Sequence, residues 1–480
     1  MKEQNKPIDD SCHDGIFYAP WEKTFNRILT PFEEFIHRQA TSGILLMIMA
    51  MLAMVLANSG LAEFYHQLIE THISIDVGSW EMEKTVHHWV NDGLMTLFFF
   101  VVGLELKREV LVGELADVRK ATLPIAAAIG GMAAPALIYY FINPEGVASG
   151  GWGMPMATDI AFALGALALI SHRVPKALIT FLVALAIVDD LGAVTVIAIF
   201  YTENISLDAL AFAGGLFGLL IVFNRGGIRS FTPYFIVSVL LWYMLMQSGV
   251  HATLAGVLAA FSIPAIPKYN PMVFNERVKY LMKRFESSHE HDKSIMNNAE
   301  LRAIVCSLES SAQSVQTLSQ RLEHTWHMPV AYIIIPFFIL ANAGTQLELS
   351  SLSETLAHPV ALGVSLGLIV GKFAGITGVS WLLLRFGFAR LPSGVRFTQI
   401  AGVSLLAGIG FTMSMFIAEL AFEHQENLLL ISKTGLMFAS LIAGVAGSVW
   451  LFVVSKQNEV SDDCGVEHAD TTNYQVQSFL

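Results

Sequence analysis

Charge is what this 480-residue sequence has least of: Asp, Glu, Lys and Arg together make up 14% of it, against about a quarter in a soluble globular chain. That scarcity excludes the two or three water-facing domains its length could otherwise hold. Cysteine is scarcer still. Cys12, Cys306 and Cys464 are all there is, each in a polar stretch and too far apart for a disulfide framework or a zinc site, so they read as free cytoplasmic thiols. Positive charge is outnumbered, 28 Lys and Arg to 40 Asp and Glu for a formal charge of -12, which gives a nucleic-acid partner no footing. The first 40 residues lack a short apolar core and an A-x-A site, so no cleavable signal is expected there.

Hydrophobic residues, by contrast, are 54% of the chain. Stretches of roughly 17 to 25 apolar residues mark candidate membrane spans, and twelve are found: 41–58, 86–103, 121–142, 152–170, 176–201, 208–223, 231–246, 248–263, 325–344, 358–384, 397–420 and 429–454. The expected fold class is an all-α polytopic membrane protein, one compact domain at 41–454 between a leader at 1–40 and a tail at 455–480. With the N-terminus placed inside, 25 of the 28 Lys and Arg fall in loops on that side, Lys84 alone falls opposite, and Lys372 and Lys433 lie within spans. Positive residues stay in the cytoplasm, so both termini are placed there. Two connections exceed a hairpin. The external loop 59–85 contains Ile73-Ser74-Ile75-Asp76-Val77-Gly78, whose alternation suits a β-hairpin arm with an edge that could pair with a second subunit; a plain surface loop suits it as well. The cytoplasmic insert 264–322 reads as one or two surface helices without a nucleotide, metal or catalytic motif, a tolerated insertion.

Four charges sit well inside spans: Asp159, Asp189, Asp190 and Lys372. Each costs about 2.5–3.5 kcal/mol on insertion scales, so they must face one another or a hydrated cavity. One ion pair that merely pins helices cannot account for three carboxylates against one ammonium. Neighbours on a helix point about 100° apart, so Asp189 and Asp190 cannot share a partner; one lines the cavity and the other pairs with Lys372. Two buried carboxylates this close resist ionising together, which poises the site to take up protons near neutral pH. A small hard cation needs the same oxygens deprotonated, so proton and cation compete. Gly150-Gly151-Trp152-Gly153-Met154-Pro155 before Asp159, and Ala407-Gly408-Ile409-Gly410-Phe411-Thr412 in a late span, are dense enough in glycine and proline to interrupt helices. Interrupted spans in corresponding halves point to a transporter's binding site, with Asp159 able to balance helix N-termini and Lys372 helix C-termini.

Thr158-Asp159-Ile160-Ala161-Phe162-Ala163-Leu164-Gly165 and Ala184-Leu185-Ala186-Ile187-Val188-Asp189-Asp190-Leu191-Gly192-Ala193 resemble the NhaA family of bacterial sodium/proton antiporters. Ser248-Gly249-Val250-His251-Ala252-Thr253-Leu254-Ala255-Gly256, Asn342-Ala343-Gly344, Gly371-Lys372 and Gly408-Ile409-Gly410-Phe411-Thr412-Met413-Ser414 are similar to the same family. The resemblance implies an inverted-repeat transporter with two broken helices crossing at mid-membrane, in the bacterial inner membrane. It implies electrogenic export of Na+ or Li+ for H+, with no cofactor. By family role Asp190 binds cation and proton, Asp189 joins it and pairs with Lys372, Asp159 balances helix ends, and Thr158 lies beside the site. The resemblance also implies pH regulation by Glu105, Arg108, Glu109, Glu323, His324 and His327, with His251 a further candidate. Gln320 departs from a basic residue the family can carry before Arg321. A homodimer through the external loop 70–84 and contact with membrane lipid complete the implied partners. The rivals are an antiporter preferring K+, a passive cation channel, and an intramembrane aspartyl protease. The last is disfavoured because Gly408-Ile409-Gly410 precedes Phe411 rather than Asp. Gly367–Lys372 lacks the length and the Ser or Thr of a phosphate loop, which disfavours a nucleotide-driven pump.

Overall fold

The computed structural model describes residues 39–77, 80–170, 174–202, 205–267, 271–288, 298–346 and 352–455; most of the leader and of the tail, with Cys12 and Cys464, lies outside them. Among the described residues, seven unbroken helices are long and apolar enough to cross a bilayer: Val118–Ile142, Lys176–Phe200, Leu207–Arg225, Phe231–Ser248, Leu318–Asn342, Pro359–Phe386 and Glu426–Val454. Two bent pairs bring the number to nine. The three other expected spans fall outside this count. The second span is a continuous helical run, Val86–Leu111, interrupted by a π turn at Trp89–Leu94. The fourth is broken: a 3₁₀ helix Val147–Met156, extended backbone at 157–159, then a helix Ile160–Ala168. The eighth is helical only over Leu254–Ser262, about 13 Å, less than half the hydrocarbon thickness.

The bent pairs behave differently from one another. Ala62–Glu70 turns 110° from Ser42–Ala57 and exposes most of its residues, so it folds back instead of continuing the first span. Phe397–Leu406 and Phe411–Ala421 bend by 47° across a four-residue break and form one interrupted span. After Ala62–Glu70 the expected hairpin arm is present: β1 (His72–Val77) pairs antiparallel with β2 (Trp80–Thr85), His72 opposite Thr85 and Val77 opposite Trp80. The turn residue Gly78 lies outside the described residues. The insert contains two helices, Pro271–Ser288 and Ala299–Val315, which pack on each other through Leu281, Leu301 and Ile304. Arg284 and Glu300 form an ion pair at 2.6 Å on the exposed side. The hairpin and the insert mark opposite ends of the bundle, because Val86–Leu111 starts at β2 and ends beside the helix that leaves the insert, with Arg108 on Glu323. Arg108 is 21 residues beyond His87, about 31 Å along a helix axis, one hydrocarbon thickness.

Close approach of backbones fixes the helix that carries Lys372. A methyl group on Gly375 would stand 2.1 Å from the Gly130 carbonyl oxygen, and one on Gly371 2.7 Å from the Pro135 Cα. Pro359–Phe386 therefore lies directly on Val118–Ile142, as small residues permit between membrane helices. The core around the site gathers Leu185, Ile339, Leu368, Ile409 and Phe416, all under 5% exposed. Outward-facing Phe141, Phe212 and Val453 are more than two-thirds exposed, which suits a lipid-facing surface.

Candidate ion-binding site

The two breaks meet. Asp159 donates its backbone N–H to the Ile409 carbonyl at 2.7 Å, joining the strand-like gap of one span to that of the other. Its carboxylate then serves two helix starts at once. Oδ1 accepts the Phe162 N–H at 3.1 Å in the helix Asp159 itself caps. Oδ2 accepts the Thr412 N–H at 3.0 Å, together with the Thr412 hydroxyl, at the start of Phe411–Ala421. Helix N-termini carry unsatisfied N–H groups and positive partial charge, so one buried carboxylate compensates both. Thr412, in the motif Gly408–Ser414, supplies the hydroxyl that completes this arrangement.

Asp189 and Asp190 lie near the middle of the 25-residue helix Lys176–Phe200, about 20 Å along the axis from its start. The Lys372 ammonium contacts Asp189 Oδ2 and donates to the Thr158 hydroxyl at 2.9 Å. Thr158 Oγ1 lies 2.6 Å from the same Asp189 oxygen and 2.9 Å from the Ala407 carbonyl. Thr158, Asp189 and Lys372 are 0% exposed, and Asp159 and Asp190 2%. Asp189 Oδ1 and Asp190 Oδ1 are buried without a hydrogen-bond partner. The 100° offset of neighbouring helix residues separates the pair: Asp189 goes to the ammonium and Asp190 does not. Two carboxylate oxygens have free lone pairs, and a threonine hydroxyl lies beside Asp189, so the groups gathered here offer oxygen. Such a set suits a hard cation or a proton and offers nothing to a softer metal.

At the insert end a second group of charges assembles. Arg108 bridges Glu323 at 2.6 Å and Glu109 at 2.8 Å, and His327 Nδ1 stands 3.3 Å from Glu105. His324 is exposed on the same helix. His251 does not belong to this group, since it lies in the turn before Leu254–Ser262, whose far end leads to the insert. Gln320, the departure from the family's basic residue, completes a capping box: Thr317 Oγ1 accepts its N–H at 3.1 Å and Gln320 Oε1 accepts the Thr317 N–H at 3.2 Å. Lys107, beyond the expected span 86–103, donates to the Phe261 carbonyl at 2.7 Å, at the C-terminus of Leu254–Ser262.

A chain with these broken spans and this carboxylate set was compared with known proteins. The model of the family described as Na+/H+ antiporter 1 matches residues 33–451. The chain belongs to this family. It is 54% identical over 431 residues to the Na+/H+ antiporter NhaA 1 of Saccharophagus degradans, covering 90% of this chain and 93% of the relative. It is 49% identical over 439 residues to the Na+/H+ antiporter NhaA of Sulfurimonas denitrificans, covering 92% and 99%, and 48% identical over 437 residues to that of Syntrophobacter fumaroxidans, covering 90% and 92%. The family is one of multi-pass helical transporters, not enzymes.

One polar cluster went unread in the sequence. Lys433 pairs with Glu419 at 2.5 Å, with both side chains about one-tenth exposed. Lys433 was visible as a lysine inside a span; Glu419, at the end of a motif-rich helix, was not singled out.

Proposed function

We propose that this protein exchanges Na+ or Li+ for H+ across the bacterial inner membrane, electrogenically and under pH control. The observation that carries this reading is three buried carboxylates held against a single buried ammonium, with Asp189 Oδ1 and Asp190 Oδ1 unpartnered. Asp190, with Asp189 and Thr158 beside it, takes the cation or the protons in turn, because the same lone pairs cannot hold both. Lys372 is the counter-charge of Asp189, and Asp159 neutralises the two helix starts at the crossing. Glu105, Arg108, Glu109, Glu323, His324 and His327 set the pH response, since an imidazole changes charge near neutrality; His251 is a further candidate. Both termini lie in the cytoplasm, on the side rich in Lys and Arg. Strands 72–77 and 80–85 present an edge for a homodimer through residues 70–84, with lipid around the rest.

The test is proton release in everted vesicles that hold an acid interior. Added Na+ or Li+ should collapse the gradient across a range of pH. Sodium movement without proton movement would replace exchange by a channel, and release driven by K+ alone would change the cargo.

A further inference from the structure

The polar cluster around Glu419 lies at the hairpin end, away from the ion-binding residues. Glu419 is seven residues past Thr412 on one helix, about 10 Å beyond the crossing. His87 Nε2 stands 3.5 Å from Glu419 Oε1 and 3.0 Å from Asn342 Oδ1. Asn342 in turn donates to Asn91 Oδ1 at 2.9 Å. Five side chains from four different spans are thereby tied into one knot: His87 and Asn91 from 86–111, Asn342 from 318–342, Glu419 from 397–421 and Lys433 from 426–454. Directly beneath it, toward the crossing, lie Phe99, Phe338 and Phe416, each at most 1% exposed. Phe416 packs on Phe99 at 5.6 Å and on Phe338 at 6.2 Å between ring centroids. The rings come from three of the knot's four spans, about one turn from Asn342 and Glu419 and about two from Asn91, and they lie between the knot and the crossing.

A buried ion pair contributes little to stability for the desolvation it costs, and it is best retained where a defined arrangement must be held or released. We propose that the Lys433–Glu419 pair, braced by His87, is the latch of an outer gate: the helices 397–421 and 426–454 part at this pair when the site opens toward the hairpin side. The proposal rests on the exchange reading only in that a transported ion needs such an opening. His87 stands between the Glu419 carboxylate and Asn342 of the neighbouring span.

The test uses the full-length protein with Cys12, Cys306 and Cys464 changed to Ser and a reporter Ser414→Cys, a buried position on the crossing side of Phe416. In right-side-out vesicles a membrane-impermeant methanethiosulfonate reaches the reporter only through the outer gate. Glu419→Gln and Lys433→Gln should each speed its labelling tenfold or more, and the swapped pair Glu419→Lys with Lys433→Glu should restore the slow rate. Labelling at the parent rate in both single variants overturns the latch. Should the single variants fail to fold, Glu419→Cys with Lys433→Cys joined by a short bifunctional thiosulfonate decides. The joined protein should lose Na+-driven proton release and regain it on reduction, whereas full-rate exchange while joined overturns the proposal. Labelling needs no transport, so a parent that releases no protons on adding Na+ would defeat the exchange reading while the labelling rates still decide the latch.

Discussion

At the scale of single residues, the burial of Asp190 beside an occupied Asp189 sets the sharpest expectations. Asp190→Asn keeps the shape and removes the ionisable oxygen, so Na+-driven proton release should fall to background while the protein elutes and melts as the parent does; near-normal release would move the cargo to another group. Lys372→Ala leaves Asp189 buried without its ammonium, a loss of about 3–5 kcal/mol, which should appear as a lower melting temperature along with lost transport. The four charges of the site were legible in the sequence because a charge inside an apolar run has no bland explanation. Helix geometry says that the two aspartates diverge but not which one meets the lysine; only the family resemblance names Asp189 as the partner of Lys372. Glu419 escaped because it stands near the end of its span, where a carboxylate draws no notice until Lys433 and His87 from other spans are seen beside it.

Among elements, the interruptions at 147–159 and 407–410 could be read from glycine and proline, whereas the way in which they join, through the Asp159 N–H and the Ile409 carbonyl, could not. The capping box at Thr317 is written in the sequence as Thr-x-x-Gln, which gives Gln320 a local role of its own. The contact of Pro359–Phe386 with Val118–Ile142 yields a test of how position depends on small residues. Gly375→Val forces a side chain toward the Gly130 carbonyl, and overpacking of this kind costs about 1–3 kcal/mol. The expected result is a lower melting temperature and weakened exchange together, because the displaced helix takes Lys372 with it; a variant that transports and melts as the parent would show that the two helices have room to spare.

For the molecule as a whole, the hydrophobic pattern overstates regularity: of the twelve apolar runs, seven are span-length helices among the described residues, two of them wound through a π turn, and the other five bend, break or stop short. A run of apolar residues reports lipid or core contact without reporting whether its backbone is continuous. The insert is self-contained, with Leu281, Leu301 and Ile304 buried between its own helices. Replacing 271–315 by a short flexible linker should therefore leave maximal proton release within a factor of two of the parent; loss of all exchange would make the insert part of the transport machinery. Trp89–Leu94, Val330–Ile334 and Gly367–Gly371 are single π turns in three different spans, and the last ends immediately before Lys372. A π turn winds one more residue into a turn than an α-turn does, so each of these spans carries a residue of slack. Passing that residue along the helix rotates the stretch it crosses without snapping the rod, and at 367–371 the stretch in question holds the ammonium of the site. Deuterium uptake should record it: amides at 367–372 should exchange faster than those at 376–382 of the same helix, and saturating Na+ should change the first group more than the second.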